Sequence, residues 1–315
     1  MAHYGITIPF DGVTLAEHHA WFTRLADLGY TDVWSAEVDG TDGFTPLALA
    51  AAWEPRLELG VAVAPVFTRG PGLLAMTVAA IAEAAPGRVS VGLGASSQPV
   101  VERWNGISYD HAYQRTRDTL RFVKRALAGE KIDEVFETFE VHGFKLARPV
   151  AEPPRLLLGA LRPSMLRLAG READGAILNW LGADDVAQCR REVGDKTIAA
   201  RLFVVPNDDV DLARAVGRRM ISSYLTVKAY AEFHRWLGRD EVLAPMWAAW
   251  AEGDRKKANE VIPDAVVDEL VIHGSFDACR EHVARYVEAG VQVPTLAIVP
   301  VGVDLSEAVA GLAPR

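Results

Sequence analysis

One unit recurs along the chain: apolar residues at helical spacing close on a glycine and pass at once into a short apolar run. It is plainest near the start. Leu15, His18, Phe22, Leu25 and Ala26 share one helical face, Gly29 ends the turn, and Thr31 to Ala36 reads as a buried strand. The same handover returns at Pro86-Gly87, Ala173-Asp174-Gly175 and Ala289-Gly290. Further strand-like runs are His3 to Ile8, Leu57 to Ala64, Val89 to Leu93, Arg155 to Leu158, Ala176 to Asn179, Ala199 to Val205 and Thr295 to Val299, about eight strands in all. Short apolar strands alternating with helices make a parallel sheet covered by helices. Eight of them in 315 residues match a (β/α)8 TIM barrel better than an open sheet. The expected fold is therefore α/β, a single barrel domain over residues 1–315.

Two segments depart from the alternation. Val135 to Leu146 follows the helical pattern Tyr113–Thr116–Leu120–Val123–Leu127, alternates in polarity and contains His142-Gly143, which predicts a small hairpin insertion. Asp208 to Asp268 is long and largely helical and carries Trp236, Trp247 and Trp250. It reads as a cap over one barrel end or as an oligomer surface, and aromatic residues at helical spacing favour the packed alternative.

Charge and cysteine content narrow the partners. A formal charge of −9 argues against nucleic acid or an anionic membrane, and no apolar run is long enough to span a bilayer. The start, MAHYGITIPFDG, has no basic leader region, so a cytoplasmic location is expected. Cys189 and Cys279 are too few and too far apart for a disulfide framework or a zinc knuckle.

In a barrel of this kind the chemistry sits where strands finish. The strand ends are Pro9-Phe10-Asp11, Glu37-Val38-Asp39, Ala62-Val63-Ala64-Pro65, Gly94-Ala95-Ser96-Ser97, Gly159-Ala160-Leu161-Arg162, Asn179-Trp180, Pro206-Asn207 and Pro300. They hold no histidine and no lysine, and only Asp11, Glu37 and Asp39 as acids. Such a set does not supply the converging ligands of a metal hydrolase, and no metal is expected. Nor does it supply the strand lysine of a Schiff-base aldolase. A glycosidase pair of carboxylates remains a weak alternative. A mouth lined mainly by small and apolar residues suits a flat bound cofactor.

The stretch Pro86 to Gly106 fits that reading. Gly92 and Gly94 would let the backbone pass close to a ligand, and the amides and hydroxyls of Ser96 and Ser97 precede a helix with Pro99 in its first turn. They make an anion seat, or Ser96 or Ser97 merely caps the helix. Gly92-x-Gly94-x-x-Ser97 also approaches a dinucleotide fingerprint. The fingerprint also needs an acid at the end of the next strand, but Asp110 precedes and Asp118 falls inside the Tyr113–Leu127 helix, so a Rossmann dehydrogenase is the poorer reading.

These same residues resemble the luciferase-like monooxygenase superfamily, in particular its branch of coenzyme F420-dependent oxidoreductases. The resemblance is carried by Leu28-Gly29-Tyr30-Thr31-Asp32-Val33-Trp34 into Ser35-Ala36-Glu37, Leu59 to Pro65 with Arg69-Gly70-Pro71, and Pro86-Gly87-Arg88 into Gly92 to Ser97. Val101-Glu102-Arg103-Trp104-Asn105-Gly106 with Tyr113, Arg115, Thr116 and Arg117, and Ala169 to Gly175, extend it over nearly the whole chain.

The resemblance implies a deazaflavin, coenzyme F420, or alternatively FMN, lying in the barrel mouth. Its phosphate would sit on Gly94, Ala95, Ser96 and Ser97 together with Gly159, Ala160, Leu161 and Arg162. Ala62 and Val63, by position, would form a non-prolyl cis peptide that backs the middle ring, next to Pro65. Arg162 would meet the phosphate or the acidic tail, or lie exposed. Glu37 is the candidate proton donor or acceptor, with an ion pair to a barrel arginine as the alternative. Phe10, Asp39, Asn179 and Trp180 are the substrate-pocket candidates, Phe10 and Trp180 serving equally as packing. Val38 stands where sugar-phosphate and alcohol dehydrogenases of the branch place a histidine, and Ser97 where they place a glutamate. The function expected is hydride transfer between the deazaflavin and a small, mostly apolar organic molecule. An FMN monooxygenase or a non-catalytic flavin binder is the alternative, and a homodimer is expected from the relatives.

Overall fold

The computed structural model describes residues 3–148 and 150–314. The strands in chain order are β1 Gly5–Thr7, β2 Asp32–Ser35, β3 Glu58–Pro65, β4 Val89–Gly94, β5 Ile132–Val135, β6 Glu140–Phe144, β7 Arg155–Gly159, β8 Gly175–Asn179, β9 Thr197–Val205, β10 Ile272–His273 and β11 Val293–Ile298. Among the described residues, β1-β2-β3-β4-β7-β8-β9-β11 run parallel, and the β11 to β1 pairing closes them into an eight-stranded barrel. Helices lie between successive barrel strands, and the chain is a (β/α)8 TIM barrel as its pattern predicts.

Period-two alternation divides the strand residues between two cores. Ile6, Val33, Leu59, Val91, Leu158 and Leu202 face the helices and join the main apolar cluster. Trp34, Leu157, Ile177, Ala199 and Val293 face inward and fill the barrel, with Ala62 and Val63 beside them. Trp34 takes a full layer of that interior. A Cβ on Gly60 would stand 2.2 Å from its indole, so the neighbouring strand can carry only glycine there.

Both insertions form. β5 and β6 pair antiparallel as the hairpin, which begins at Ile132, slightly earlier than the polarity pattern indicated. The excursion folds into the helices Val210–Leu225, Lys228–Trp236, Asp240–Ala251, Arg255–Glu260 and Asp264–Leu270. They bury Leu225, Leu243, Met246 and Val267 against Trp180, Phe203 and Val205 at the ends of β8 and β9, so the segment is a cap. Its tryptophans are engaged within the chain. Trp247 donates Nε1–H to the Leu225 carbonyl at 2.9 Å, Arg255 stacks on Trp250 at 3.5 Å, and Trp236 packs on Phe233. No described helix is long and apolar enough to cross a membrane.

Candidate active site at the barrel mouth

Inward-facing strand residues, together with the end of β2, surround a recess lined by Thr7, Trp34, Ser35, Ala36, Ala62, Ile177, Ala199, Ala200, Arg201 and Thr295. With its open mouth it measures about 280 Å³. Its wall on β3 has an irregular shape. The register between β3 and β4 shifts from Val61 to Ala64, and the Ala62–Val63 peptide is cis, where the resemblance placed it. The bulge leaves Ala62 on the recess and turns Val63 toward β4 and β7.

That turn changes the reading of the glycines. A Cβ on Gly94 would lie 2.5 Å from Val63 Cγ2, and one on Gly159 would lie 3.0 Å from Val63 Cγ1. A Cβ on Gly92 would meet Ile177 Cδ1 at 2.2 Å and the Val61 carbonyl oxygen at 2.6 Å. Gly92 and Gly94 therefore make room for the bulged strand of this chain, where the sequence reading gave that room to a ligand.

The rim beyond Gly94 is a loop into a six-residue π-helix, Pro99–Trp104, with Pro99 at its start. Neither Ser96 nor Ser97 caps it with a side-chain hydrogen bond. So short a helix contributes little dipole, and what the rim offers an anion is loop amides and hydroxyls. Ser96 adopts φ 60°, and its carbonyl accepts a bond from Tyr109 Oη at 3.0 Å. Arg162 lies near enough to Tyr109 to favour its ionised form, although burial dominates and raises the Tyr109 phenol. The loops 94–97 and 159–162 thus share one rim. There Ala160 donates its N–H to the Ile177 carbonyl, Leu161 packs on the core, and exposed Arg162 is paired with Glu232. Pro65 is buried at the end of β3.

The second-strand acid is engaged elsewhere. Glu37 receives Arg69 through both carboxylate oxygens, Nε to Oε1 at 2.9 Å and Nη2 to Oε2 at 2.7 Å, and accepts the Gly43 N–H at 2.8 Å. This is the ion-pair alternative, and Ala36, one residue earlier, supplies the recess wall. Among the substrate-pocket candidates, Phe10 stacks on His18 and meets Trp21 edge-on, 7% exposed. Trp180 is buried, holds φ 56° and stacks on Phe203 at 4.3 Å. Both sit in packing clusters. Asp39 is exposed, and Asn179 donates Nδ2–H to Tyr230 Oη at 3.1 Å.

The residue the strand-end reading missed is Arg201. It sits in the middle of β9, yet its register partners are Asn179, the last residue of β8, and Thr295 of β11. On its β8 side the ladder stops at this level, while toward β11 it runs three pairs further, to Ile298 and Val204. Four buried polar atoms of the recess lining have no hydrogen-bond partner: Thr7 Oγ1, Trp34 Nε1, Thr295 Oγ1 and Arg201 Nε. Possible metal ligands gather at the opposite end, among the described residues, in His3, Asp32 and Glu58. There Asp32 bonds His3 at 3.0 Å and raises its imidazole pKa, and Glu58 is paired with Arg155.

The profile of the luciferase-like monooxygenases matches residues 3–293. The chain belongs to that family. This membership makes it an oxidoreductase. A Mycobacterium tuberculosis protein provisionally named as a coenzyme F420-dependent oxidoreductase is 28% identical, over 95% of this chain and 94% of its own. The structure of a coenzyme F420-dependent tetrahydromethanopterin reductase from Methanopyrus kandleri superposes with a TM-score of 0.78 at 18% identity, covering 99% of this luciferase-like chain and 97% of that one. A type II Baeyer–Villiger monooxygenase from Pseudomonas putida, in complex with FMN, gives a TM-score of 0.65 at 17% identity, covering 99% and 97%. At those identities the two structures speak for the fold alone.

Proposed function

We propose that this protein is an oxidoreductase that uses coenzyme F420 at the barrel mouth and transfers a hydride between it and a small organic substrate. The observation that carries the reading is the bulge on β3. It presents only the Ala62 methyl to the recess, a low wall beside which a flat ring can lie, and tucks the larger Val63 among Gly94 and Gly159. Gly94 to Ser97 and Gly159 to Arg162 would hold the phosphorylated arm, with Tyr109 bonded to the Ser96 carbonyl and close to the Arg162 charge. The name of the mycobacterial relative supports F420 over FMN.

When bound, the deazaflavin accepts or donates the hydride. The chain's own part is to orient and enclose. Ile177 and the alanines of β9 exclude water from the floor, and Trp34 closes the barrel beneath. In this reading Glu37 fixes the loop after β2 through Arg69, whose guanidinium occupies both carboxylate oxygens. A homodimer belongs to the same reading, with half-exposed Leu73 and Met76 on helix Pro71–Ala84 as its apolar contribution. Titration of the purified protein with F420 and, separately, FMN tests the assignment. Saturable F420 binding is expected, and tight FMN binding with none of F420 would replace it by the monooxygenase reading.

A further inference from the structure

The recess contains a cation and hydrogen-bond donors but no acid. Its lining residues include no aspartate or glutamate, and among the described residues Arg201 makes no salt bridge. Its guanidinium carbon lies 4.9 Å from the Phe203 ring, and the neutral phenol of Tyr230 is close by. A partly buried guanidinium without a carboxylate is costly to keep, and the neighbouring unpartnered groups, Trp34 Nε1 and the Thr7 and Thr295 hydroxyls, are all able to donate. Thr295 and Arg201 lie at one level on adjacent strands, as do Thr7 and Trp34. Every one of these groups is matched by an oxygen anion.

We infer that this recess binds the carboxylate of a small organic acid, Arg201 forming the charged anchor and Thr295, Thr7 and Trp34 completing the hydrogen bonds. The inference rests on the proposed function and deepens it by naming the substrate as an acid, in place of the mostly apolar one the sequence suggests. A carboxylate has the planar pair of oxygens that a guanidinium grips best, and one arginine balances one negative charge. Ala36, Ala62, Ala199 and Ala200 leave the rest of the mouth to the body of the substrate and the ring.

The test is a binding experiment on the full chain, read by calorimetry and independent of turnover. Benzoate and benzamide are titrated into the wild type, Arg201→Met, Arg201→Lys and Thr295→Val, with and without F420, and inorganic phosphate is titrated as a competitor. Benzoate should bind about 10- to 100-fold more tightly than benzamide, the range given by losing one charge-assisted hydrogen bond. Arg201→Met should erase that preference, Arg201→Lys should keep part of it, and Thr295→Val should weaken benzoate alone. Circular-dichroism melts confirm that each variant folds. Equal binding of benzoate and benzamide by wild type overturns the inference, as does an unchanged preference in Arg201→Met. If Arg201→Met instead loses F420 affinity as steeply as benzoate affinity, Arg201 serves the cofactor. Phosphate binding more tightly than benzoate overturns the carboxylate in favour of a phosphate ester. A wild type that binds benzoate but not F420 sinks the cofactor reading and leaves this one standing.

Discussion

Substituting Gly94 by alanine separates the two roles open to that glycine. If Gly94 makes room for Val63, the new methyl at 2.5 Å from Val63 Cγ2 must push that side chain by about 1 Å to reach ordinary contact. Overpacking of this sort costs about 1–3 kcal/mol, and the gain from removing a strand glycine, roughly 0.5–1 kcal/mol, offsets only part of it. Val63→Ala alone deletes two half-buried methyls at about 0.8 kcal/mol each, or roughly 1–2 kcal/mol. In the double variant the clashing methyls are gone, and the nearest remaining contact is Val63 Cβ at 3.2 Å, tight but tolerable. The double variant should therefore be more stable than the sum of the single losses by about 1–2 kcal/mol, well inside the range of contact couplings. Urea unfolding followed by circular dichroism measures all three. Gly92→Ala is the internal control, because its methyl meets the backbone oxygen of Val61 at 2.6 Å, which Val63→Ala cannot relieve. Strictly additive costs would refute the packing account. A Gly94→Ala variant with wild-type stability but lost F420 binding would restore the ligand-approach role.

Three further outcomes are expected. Glu37→Gln should lower stability by about 1–3 kcal/mol, since it leaves the partly buried Arg69 with only the longer Asp42 pair at 3.5 Å, while leaving the pH profile of turnover in place; loss of one titrating limb with a collapse in kcat would return Glu37 to a proton-transfer role. Ser97→Trp should weaken F420 binding more than about tenfold by filling the shared rim, with unfolding within about 0.5 kcal/mol of wild type; unchanged binding removes this loop from the cofactor site. Burial, aided by the Arg239 charge, lowers the His234 imidazole from 6.5 to about 3. The folded state thus stays unprotonated where the unfolded chain takes up a proton. The resulting loss of stability begins as pH falls below 6.5 and grows by roughly 1.4 kcal/mol per pH unit until the folded value is reached. His234→Leu should flatten that acid limb, and a limb identical to wild type in urea unfolding would count against it.

What was legible in the sequence follows from how far apart the causes lie. Each strand of the barrel is announced by its own helix, glycine and apolar run, and β1 to β4, β7 to β9 and β11 fall within a few residues of the runs that predict them. The excursion and the hairpin were also local patterns. The site was less so, because its determinants act between segments. Glu37 and Arg69 are 32 positions apart, and only folding selects the ion pair from the two roles open to the carboxylate. Val63, Gly94 and Gly159 come from three strands, and nothing in the order of residues shows that the glycines yield to a valine.

Arg201 escaped for a geometric reason that the register makes plain. β9 runs nine residues where β8 runs five, and its overshoot beyond Asn179 is covered by the short β10 at Val204 and Val205. Counting to the end of β9 arrives at Pro206-Asn207, past the level at which β8 stops. The position that faces the mouth is fixed by the shortest neighbouring strand, so a chemically informative residue can sit mid-strand and still stand at the active end. On that ground the arginine of β9, four residues inside its own strand terminus, belongs to the recess as fully as any loop residue, and the acid-binding character of the site was hidden by strand length instead of by residue type.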